Sequence, residues 1–309
     1  MMRQTNKNIR IGFGTWPLGG NAYGHLTEEN AYKTIKAAYD EGVTLFDTAD
    51  IYGDGVVEKL LGAAVGGLEN VEFISKVGYV CEESSSQCFD EKHIRNRIES
   101  SLKNLNRSQL DYYLLHSPTV QNLKNYSVLK IFENLKKEGL AKKIGVSLRT
   151  IDTFKNITNW DSCDSIEIIL NLLDQRAIDN GLVEYCSNNN ISVFARLPLC
   201  SGFLSGKYLV GVNFPKNDVR SRWSQNQIDK WCAASTQYNF LINPNRDLAQ
   251  AAIAFCFCSQ VNTIPIPGMK TPLQVKSNMK AGKTECFITP LEFKKIRNTW
   301  MGLKNVPPF

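Results

Sequence analysis

Polar and ionisable side chains stand where several apolar segments of the sequence end. Asp47, Lys76 and His116 end three successive segments, and Tyr52 follows Asp47 within the stretch FDTADIYG. Such groups are costly to hold at the end of a buried strand unless they are paired. A carboxylate, an ammonium, an imidazole and a phenol in one place could move protons by general acid–base chemistry. Later segments also end in polar residues, namely Ser147, Asn171, Arg196 and the stretch Ile266–Lys270.

Short β-rich segments alternate with longer amphipathic segments along the whole chain. Consecutive apolar positions, as in YYLLH and ISVFARL, are typical of parallel strands that are buried on both faces. The predicted strands are Ile9–Gly14, Thr44–Asp47, Val71–Lys76, Asp111–His116, Lys143–Ser147, Ser165–Asn171, Ile191–Leu197 and Thr263–Pro265. The predicted helices are Glu28–Glu41, Val57–Val65, Asp90–Asn104, Ser127–Glu138, Ile151–Ile157, Ala177–Asn189, Gln227–Ile242 and Asp247–Ser259.

Eight alternations of strand and helix predict a closed (β/α)8 TIM barrel with its active face at the carboxyl ends of the strands. All 309 residues fit one domain, 1–309, with a lead-in before Ile9 and an extra C-terminal helical segment from Pro290. An open, doubly wound sheet is the alternative. The glycine-rich stretch Gly12–Gly20 disfavours it, because Pro17 stands where the dinucleotide fingerprint needs glycine and the next helix begins only near Glu28.

Several segments resemble the aldo-keto reductase superfamily. They are FDTADIYG (Phe46–Gly53), FISKVG (Phe73–Gly78), YYLLHSP (Tyr112–Pro118), IGVS (Ile144–Ser147) and IPG (Ile266–Gly268). The resemblance runs nearly end to end in the family's order, and ARLPLCSGFLSGKY is similar to a subset with Arg-x-Pro-Leu on the seventh barrel strand. It implies a barrel that binds NAD(P)H across its carboxyl face without a Rossmann domain. It also implies reduction of an aldehyde or ketone to an alcohol.

The resemblance implies that the family's catalytic tetrad falls on Asp47, Tyr52, Lys76 and His116. Carbonyl reduction produces a developing alkoxide that needs a proton as hydride arrives, and Tyr52 would donate it. A free phenol has a pKa of about 10, which we expect the Lys76 ammonium to lower. Asp47 would keep Lys76 charged, and His116 would hydrogen-bond the substrate oxygen. Each residue alone also has a structural explanation, for example Tyr52 packing on Trp16.

The resemblance further implies where a cofactor would bind. Ser147 matches the serine that binds the nicotinamide carboxamide, but Leu148 stands where asparagine is usual and Glu167 where glutamine is usual. Arg196 replaces a tyrosine that stacks on the nicotinamide. Lys270 would meet the ribose 2′-phosphate, which favours NADPH, with NADH as the alternative. The predicted cofactor-binding residues are Ser147, Arg196, Gly202, Lys207, Lys270, Gln274 and Asn278.

Two segments of this set have more specific expectations. Residues Ser201–Tyr208, with glycines that allow close backbone approach, resemble the loop over the pyrophosphate, where Lys207 would supply positive charge. A glycine-rich turn without this role is the alternative. Lys270, Gln274 and Asn278 are spaced four apart, which would place them on one face of a helix.

Substrate contacts are expected from aromatic residues and from long loops. The predicted substrate-binding residues are Trp16, Tyr52, His116 and Trp223, and the predicted wall loops are Cys81–Phe89, Pro118–Tyr126 and Asn213–Asn226. The polarity of these loops favours a hydroxylated carbonyl substrate such as a sugar or keto-sugar.

Bulk composition limits the other classes of function. The net charge is +6, with basic residues scattered through the chain, which suits a small anionic ligand better than nucleic acid. Nine cysteines without metal-ligand spacing predict reduced thiols and no metal site. No apolar run has the length of a signal peptide or a membrane span. We therefore expect a cytoplasmic protein whose partner is a small-molecule carbonyl substrate, and the oligomeric state stays open.

A different class of function is also compatible with the resemblance. Relatives with this fold serve as redox-sensing partner subunits of membrane channels, which bind NADPH and turn over slowly. The sequence predicts an enzyme, and the sensor is the alternative.

Overall fold

Eight parallel strands form one sheet in which successive strands along the chain are neighbours in space. The computed structural model describes residues 10–20, 22–81, 86–124, 126–151, 153, 163–258, 260–303 and 306–307. The strands are β1 (Phe13–Gly14), β2 (Leu45–Asp47), β3 (Glu72–Val77), β4 (Leu110–His116), β5 (Ala141–Ser147), β6 (Ser165–Ile169), β7 (Ser192–Arg196) and β8 (Ile264–Pro265). The predicted eight-stranded parallel sheet is confirmed.

The first and last strands meet and close the sheet into a barrel. Gly14 forms a parallel bridge with Gly268, and its amide donates to the Pro267 carbonyl at 3.0 Å. A Cβ atom at Gly14 would lie only 2.7 Å from the carbonyl oxygen of Ile266. Closure therefore requires a residue without a side chain at this position. The open-sheet alternative is excluded.

Helices follow the strands and pack around the sheet. They are α1 (Glu28–Asp40), α2 (Val56–Val65), α3 (Glu91–Leu105), α4 (Val120–Lys124), α5 (Tyr126–Lys137), α6 (Arg176–Asp179), α7 (Leu182–Asn188), α8 (Gln225–Thr236), α9 (Leu248–Phe257), α10 (Pro272–Met279) and α11 (Pro290–Gly302). Helix α11 is the C-terminal helical segment that the sequence predicts.

Two helical segments differ from the sequence prediction. The predicted helix Ala177–Asn189 is interrupted at Gly181, whose left-handed φ of 79° separates α6 from α7. The segment Pro118–Tyr126, expected to be a loop, contains the short helix α4, at whose start Thr119 accepts a hydrogen bond from the amide of Asn122. Outside the described residues lie the lead-in before Ile9, the middle of Cys81–Phe89 and most of the predicted helix Ile151–Ile157.

The barrel interior is filled by a small apolar cluster, separate from the larger core beneath the helices. It consists of Leu45, Ile74, Tyr112, Leu114, Phe194 and Ile266. Side chains two apart on a strand point to the same side, and the interior of such a barrel is packed core rather than a pore. Polar groups that follow these residues at the carboxyl ends therefore project into the mouth of the barrel.

Replacing Gly14 by alanine should destabilise the fold by about 1–3 kcal/mol, because the new methyl group would overlap a backbone carbonyl that cannot move without opening the barrel. Gly67→Ala is the matched control, since no atom lies within 4 Å of a Cβ built at Gly67. Its effect should stay within about 0.5 kcal/mol. Urea unfolding measures both values, and equal stability of the two variants would contradict this account of closure.

Candidate active site

The side chains at the barrel mouth are positioned by the two-residue repeat of the strands. Each lies two residues after a member of the inner apolar cluster and so faces the same way. The pairs are Leu45 and Asp47, Ile74 and Lys76, Leu114 and His116, and Phe194 and Arg196. The packed interior below thus fixes the direction of four polar side chains above.

Lys76 is the charged centre of the mouth and is fully buried. Its Nζ donates to a carboxylate oxygen of Asp47 and, at 2.9 Å, to the Thr48 carbonyl. The same ammonium lies 3.2 Å from Oε2 of Glu167. Burial by itself would lower the pKa of Lys76, but the carboxylates of Asp47 and Glu167 outweigh it and raise that pKa above the usual value. Lys76 is therefore a buried ammonium shared by two carboxylates.

Tyr52 reaches this mouth from the turn between β2 and α2. The turn contains left-handed residues at Gly53 (φ 55°) and Gly55 (φ 85°), a conformation that glycine adopts without strain. The half-buried Tyr52 ring has its centroid 5.3 Å from Nζ of Lys76 and 6.0 Å from the His116 ring. The structure thus brings the four predicted tetrad residues together.

The acidity of Tyr52 differs from the sequence-based expectation. Burial raises the pKa of Tyr52 above the usual value of a phenol, and the nearby charge of Lys76 offsets only part of that rise. The carboxylates of Asp47 and Glu167 add to it. Lys76 acts in the expected direction, but burial outweighs it and the net shift of the Tyr52 pKa is upward. The phenol is held in its protonated form, which is the form a proton donor needs.

His116 is kept neutral by its surroundings. Burial lowers the pKa of His116 well below the usual range, and the positive charges of Lys76 and Arg196 lower it further. Its ring packs edge-on against Tyr79, with centroids 4.9 Å apart. Within the described part of the chain, Nδ1 of this imidazole has no hydrogen-bond partner. A neutral imidazole can hydrogen-bond a substrate oxygen without adding charge.

Glu167 is the residue of this site that the sequence prediction left out of its site set. Ser147 donates to its Oε1 at 3.0 Å, and Nε of Arg196 lies 3.9 Å from the same oxygen. The guanidinium of Arg196 also donates to the Leu148 carbonyl at 3.1 Å, while the Leu148 side chain is buried in the outer core. A carboxylate on the otherwise apolar strand SIEII was the signal that could have identified it.

The predicted adenosine-end residues lie after β8, though not on one helix. Helix α10 begins at Pro272, so Lys270 precedes it and the predicted common helix face is wrong for that residue. Proline fixes the first turn of the helix, and Gln274 instead accepts a hydrogen bond from the Lys270 amide at 2.7 Å. Gln274 and Asn278 share α10, and Asn278 is buried.

A segment formed by residues 208–223, here called the strap, connects this region to the loop after β1. Tyr23 pairs with Asp218 of the strap in an antiparallel bridge, and Lys270 donates through Nζ to the Tyr23 carbonyl. Arg220 forms a two-point ion pair with Asp218 and donates to the Ser201 carbonyl at 3.2 Å. Two cationic side chains, Lys270 and Arg220, are thus gathered beside the loop that follows β7.

The remaining predicted contacts differ in their surroundings. A Cβ atom at Gly202 would lie 3.3 Å from the Arg220 guanidinium, so this glycine allows the strap to approach. Lys207 is exposed. Trp16 packs edge-on against Tyr23 at 5.5 Å. The Trp223 ring packs against Trp231, with centroids 4.9 Å apart, and against Phe203, with centroids 6.0 Å apart.

The described residues contain no cluster of three or more histidine, cysteine, aspartate or glutamate side chains that could hold a metal ion. None of their helices combines the length and the apolar character that crossing a membrane requires.

Comparison with known proteins gives a consistent set of similarities. A sequence profile of the Aldo/keto reductase family matches residues 10–300. The chain is 31% identical over 223 residues to the aldo-keto reductase YhdN of Bacillus subtilis, covering 69% of this chain and 65% of that relative's length. It is 25% identical over 302 residues to the aldo-keto reductase yakc (NADP+) of Schizosaccharomyces pombe, covering 93% and 87%. The solved glycerol dehydrogenase from Gluconobacter oxydans superposes with a TM-score of 0.81 at 26% identity, covering 97% and 93%.

Replacing Lys76 by methionine should destabilise the protein by about 3–5 kcal/mol, because two buried carboxylates lose their counter-charge. Burial acts to raise the pKa of Asp47 and the charge of Lys76 acts to lower it, so this pKa should rise when Lys76 is removed. A carboxyl group whose pKa is raised in the folded state stabilises the fold at low pH, and this stabilisation is lost as pH increases. The difference in unfolding free energy between wild type and Lys76→Met should therefore grow from about pH 5 to about pH 8.

Urea unfolding of this variant across that pH range is the measurement. Lys142→Met is the matched control, because Lys142 pairs with Asp111 at 2.8 Å from a side chain that is 58% exposed. Its loss should stay below about 1 kcal/mol. If Lys76→Met loses no more stability than Lys142→Met, or loses less as pH rises, two carboxylates do not share the Lys76 ammonium as described.

Proposed function

The chain belongs to the aldo/keto reductase family, and from that premise we propose that it reduces the carbonyl group of an aldehyde or ketone to an alcohol with NADPH. The observation that carries the proposal is the meeting of Tyr52, Lys76, Asp47 and His116 at the mouth of a closed barrel. A protonated phenol and a neutral imidazole side by side at the barrel mouth suit a reaction in which oxygen gains a proton.

Polar groups at the mouth fit the nicotinamide end of such a cofactor. Oε2 of Glu167 lies 3.2 Å from Nζ of Lys76 and Nε of Arg196 lies 3.9 Å from Oε1 of Glu167, but among the described residues neither buried atom has a hydrogen-bond partner. One is an acceptor and the other a donor, which matches the amino group and the carbonyl group of a carboxamide. Ser147 lies beside them through its bond to Glu167. These three residues would hold the carboxamide.

The region around Lys270 and Arg220 offers positive charge for phosphate. Lys270 and Arg220 converge where the strap meets the loop after β1, and Lys207 follows the loop Cys200–Ser205. Burial lowers the pKa of Lys270, the carboxylate of Asp218 opposes that shift and the charge of Arg220 adds to it. An added phosphate would give Lys270 and Arg220 a second negative partner besides Asp218. This supports NADPH, and similarity to a relative named for NADP+ points the same way. NADH remains the alternative cofactor.

The residues of the tetrad have separate tasks in the proposed reaction. The bound reduced nicotinamide would supply the hydride. Tyr52 donates its phenolic proton to the carbonyl oxygen, and the phenolate that results is stabilised by Lys76. Asp47 holds Lys76 charged, and His116 orients the oxygen by a hydrogen bond. Tyr52 then regains a proton from water, so one hydride and one proton are consumed per alcohol formed.

The substrate class is proposed to be a small hydroxylated carbonyl compound. The similarity to a glycerol dehydrogenase supports it, as does the polarity of the loops around the mouth. Trp16, Tyr52 and His116 would form the nearer walls. Trp223, which packs against Phe203 and Trp231, remains a proposed substrate contact.

Tyr52→Phe should lower the rate of aldehyde reduction by about 100- to 10,000-fold, because it removes the proton donor. NADPH affinity, measured by fluorescence titration, should change little. The measurement is stopped-flow loss of nicotinamide absorbance with a panel of aldehydes that includes glyceraldehyde.

Tyr112→Phe is the matched control, because Tyr112 is buried at the other end of the barrel and has its own lysine, Lys143, at 3.0 Å. It should react at the wild-type rate. Full activity of Tyr52→Phe would refute the assigned proton donor. Tight NADPH binding by wild type without turnover of any aldehyde would favour the redox-sensing alternative.

Lys270→Ala should weaken binding of NADPH about tenfold while leaving NADH binding nearly unchanged, because only NADPH carries the 2′-phosphate. Lys207→Ala should weaken both cofactors equally, since the pyrophosphate is common to them. Isothermal titration calorimetry with each cofactor gives the ratio of the dissociation constants for NADPH and NADH in each variant. An unchanged ratio in Lys270→Ala would show that Lys270 does not bind the 2′-phosphate.

A further inference from the structure

Glu167 places a second carboxylate on the ammonium that the proton donor depends on. Its side chain is 4% exposed, and Oε2 lies 3.2 Å from Nζ of Lys76. Lys76 also binds Asp47, so the single positive charge is divided between two negative ones. A neutral amide at position 167 could hydrogen-bond the same neighbours, but it would leave the Lys76 charge to Asp47 alone.

We propose that Glu167 is a positioning residue that acts on Tyr52 through Lys76 and sets the pH range in which Tyr52 gives up its proton. The proposal rests on the proposed function, because it assigns Tyr52 as the proton donor. Glu167 does not need to touch substrate for this role. Its effect is electrostatic and passes through the ammonium that it shares with Asp47.

The balance of charges around Tyr52 determines the direction of the effect. The titratable and charged groups that face it are Asp47 from β2, Lys76 from β3, His116 from β4, Glu167 from β6 and Arg196 from β7. Asp50, on the same turn as Tyr52, lies 3.4 Å from Arg97 of α3. The two carboxylates oppose loss of the Tyr52 proton, and the two cations favour it.

Arg196 provides an opposite test of the same balance. It is the second cation near Glu167. Nε of Arg196 lies 3.9 Å from Oε1 of Glu167, whereas Lys76 lies near the other oxygen, Oε2. Removing the charge of Glu167 should make Tyr52 more acidic. Removing the charge of Arg196 should make it less acidic. A residue with only a packing role would not give shifts of opposite sign.

The experiment compares Glu167→Gln, Arg196→Gln and wild type in the alcohol-oxidation direction, with glycerol and NADP+ as the probe pair. Oxidation needs the phenolate of Tyr52, so kcat/KM for oxidation rises with pH. The rising part of this pH profile, here called the limb, can be compared between variants even where no plateau is reached. Glu167→Gln should move this limb to lower pH by about 1 unit, and Arg196→Gln should move it to higher pH.

A second readout does not depend on turnover. In cofactor-free protein labelled with 13C-tyrosine, the Tyr52 resonance, assigned by its loss in Tyr52→Phe, should begin to titrate at lower pH in Glu167→Gln than in wild type. Asp111→Asn is the matched control, because Asp111 is also a buried carboxylate paired with a lysine but lies at the other end of the barrel. Neither the limb nor the resonance should move in that variant.

The possible outcomes separate the inference from the proposed function. Shifts of opposite sign in the two glutamine variants, with none in Asp111→Asn, support the role of Glu167. If the limbs of Glu167→Gln and Arg196→Gln coincide with that of wild type, or both move in the same direction, the role of Glu167 is overturned while the proposed function stands. If wild type oxidises no alcohol and reduces no aldehyde, the proposed function fails, and the Tyr52 titration alone decides the inference.

Discussion

A buried ammonium is the interaction on which this structure depends. A lysine side chain with no exposure at the mouth of an apolar barrel would lose its proton if it stood alone. Lys76 keeps its charge because Asp47 binds it from one neighbouring strand and Glu167 approaches it from across the barrel. Tyr52 lies against this charge and His116 lies against Tyr52. The chemistry of the site is therefore a consequence of how one charge is neutralised.

The barrel supplies the geometry that makes this neutralisation possible. Only a closed sheet brings β2, β3 and β6 to face a common interior, and closure depends on the close approach of Gly14 to the chain after β8. Inside, each polar group follows, two residues later on its strand, an apolar residue of the buried inner cluster. The same arrangement that excludes water below the site raises the pKa of Tyr52 and lowers that of His116. Fold and reactivity thus share one cause, which is burial at the carboxyl ends of strands.

Much of this arrangement could be predicted from the sequence, because strand ends and the two-residue repeat are local patterns. The barrel and the meeting of the tetrad follow from them and from the family resemblance. What local patterns could not give is the outcome of competing long-range effects. The lowered pKa expected for Tyr52 considered only its neighbour Lys76, whereas burial outweighs that charge.

Position alone also failed to separate chemical from structural polar residues. Asn171 ends a predicted strand as Lys76 and His116 do, but it lies after β6. Its side-chain amide donates to the Leu197 carbonyl and accepts a hydrogen bond from the Leu173 amide, so it stabilises the backbone. 15N NMR of lysine side chains measures directly whether Lys76 stays charged, with the Lys76 Nζ resonance assigned by its loss in Lys76→Met. We expect this nitrogen to remain an ammonium to at least about pH 10, because its pKa lies above the usual value for lysine. Deprotonation near neutral pH, as burial without counter-charges would cause, would contradict this expectation.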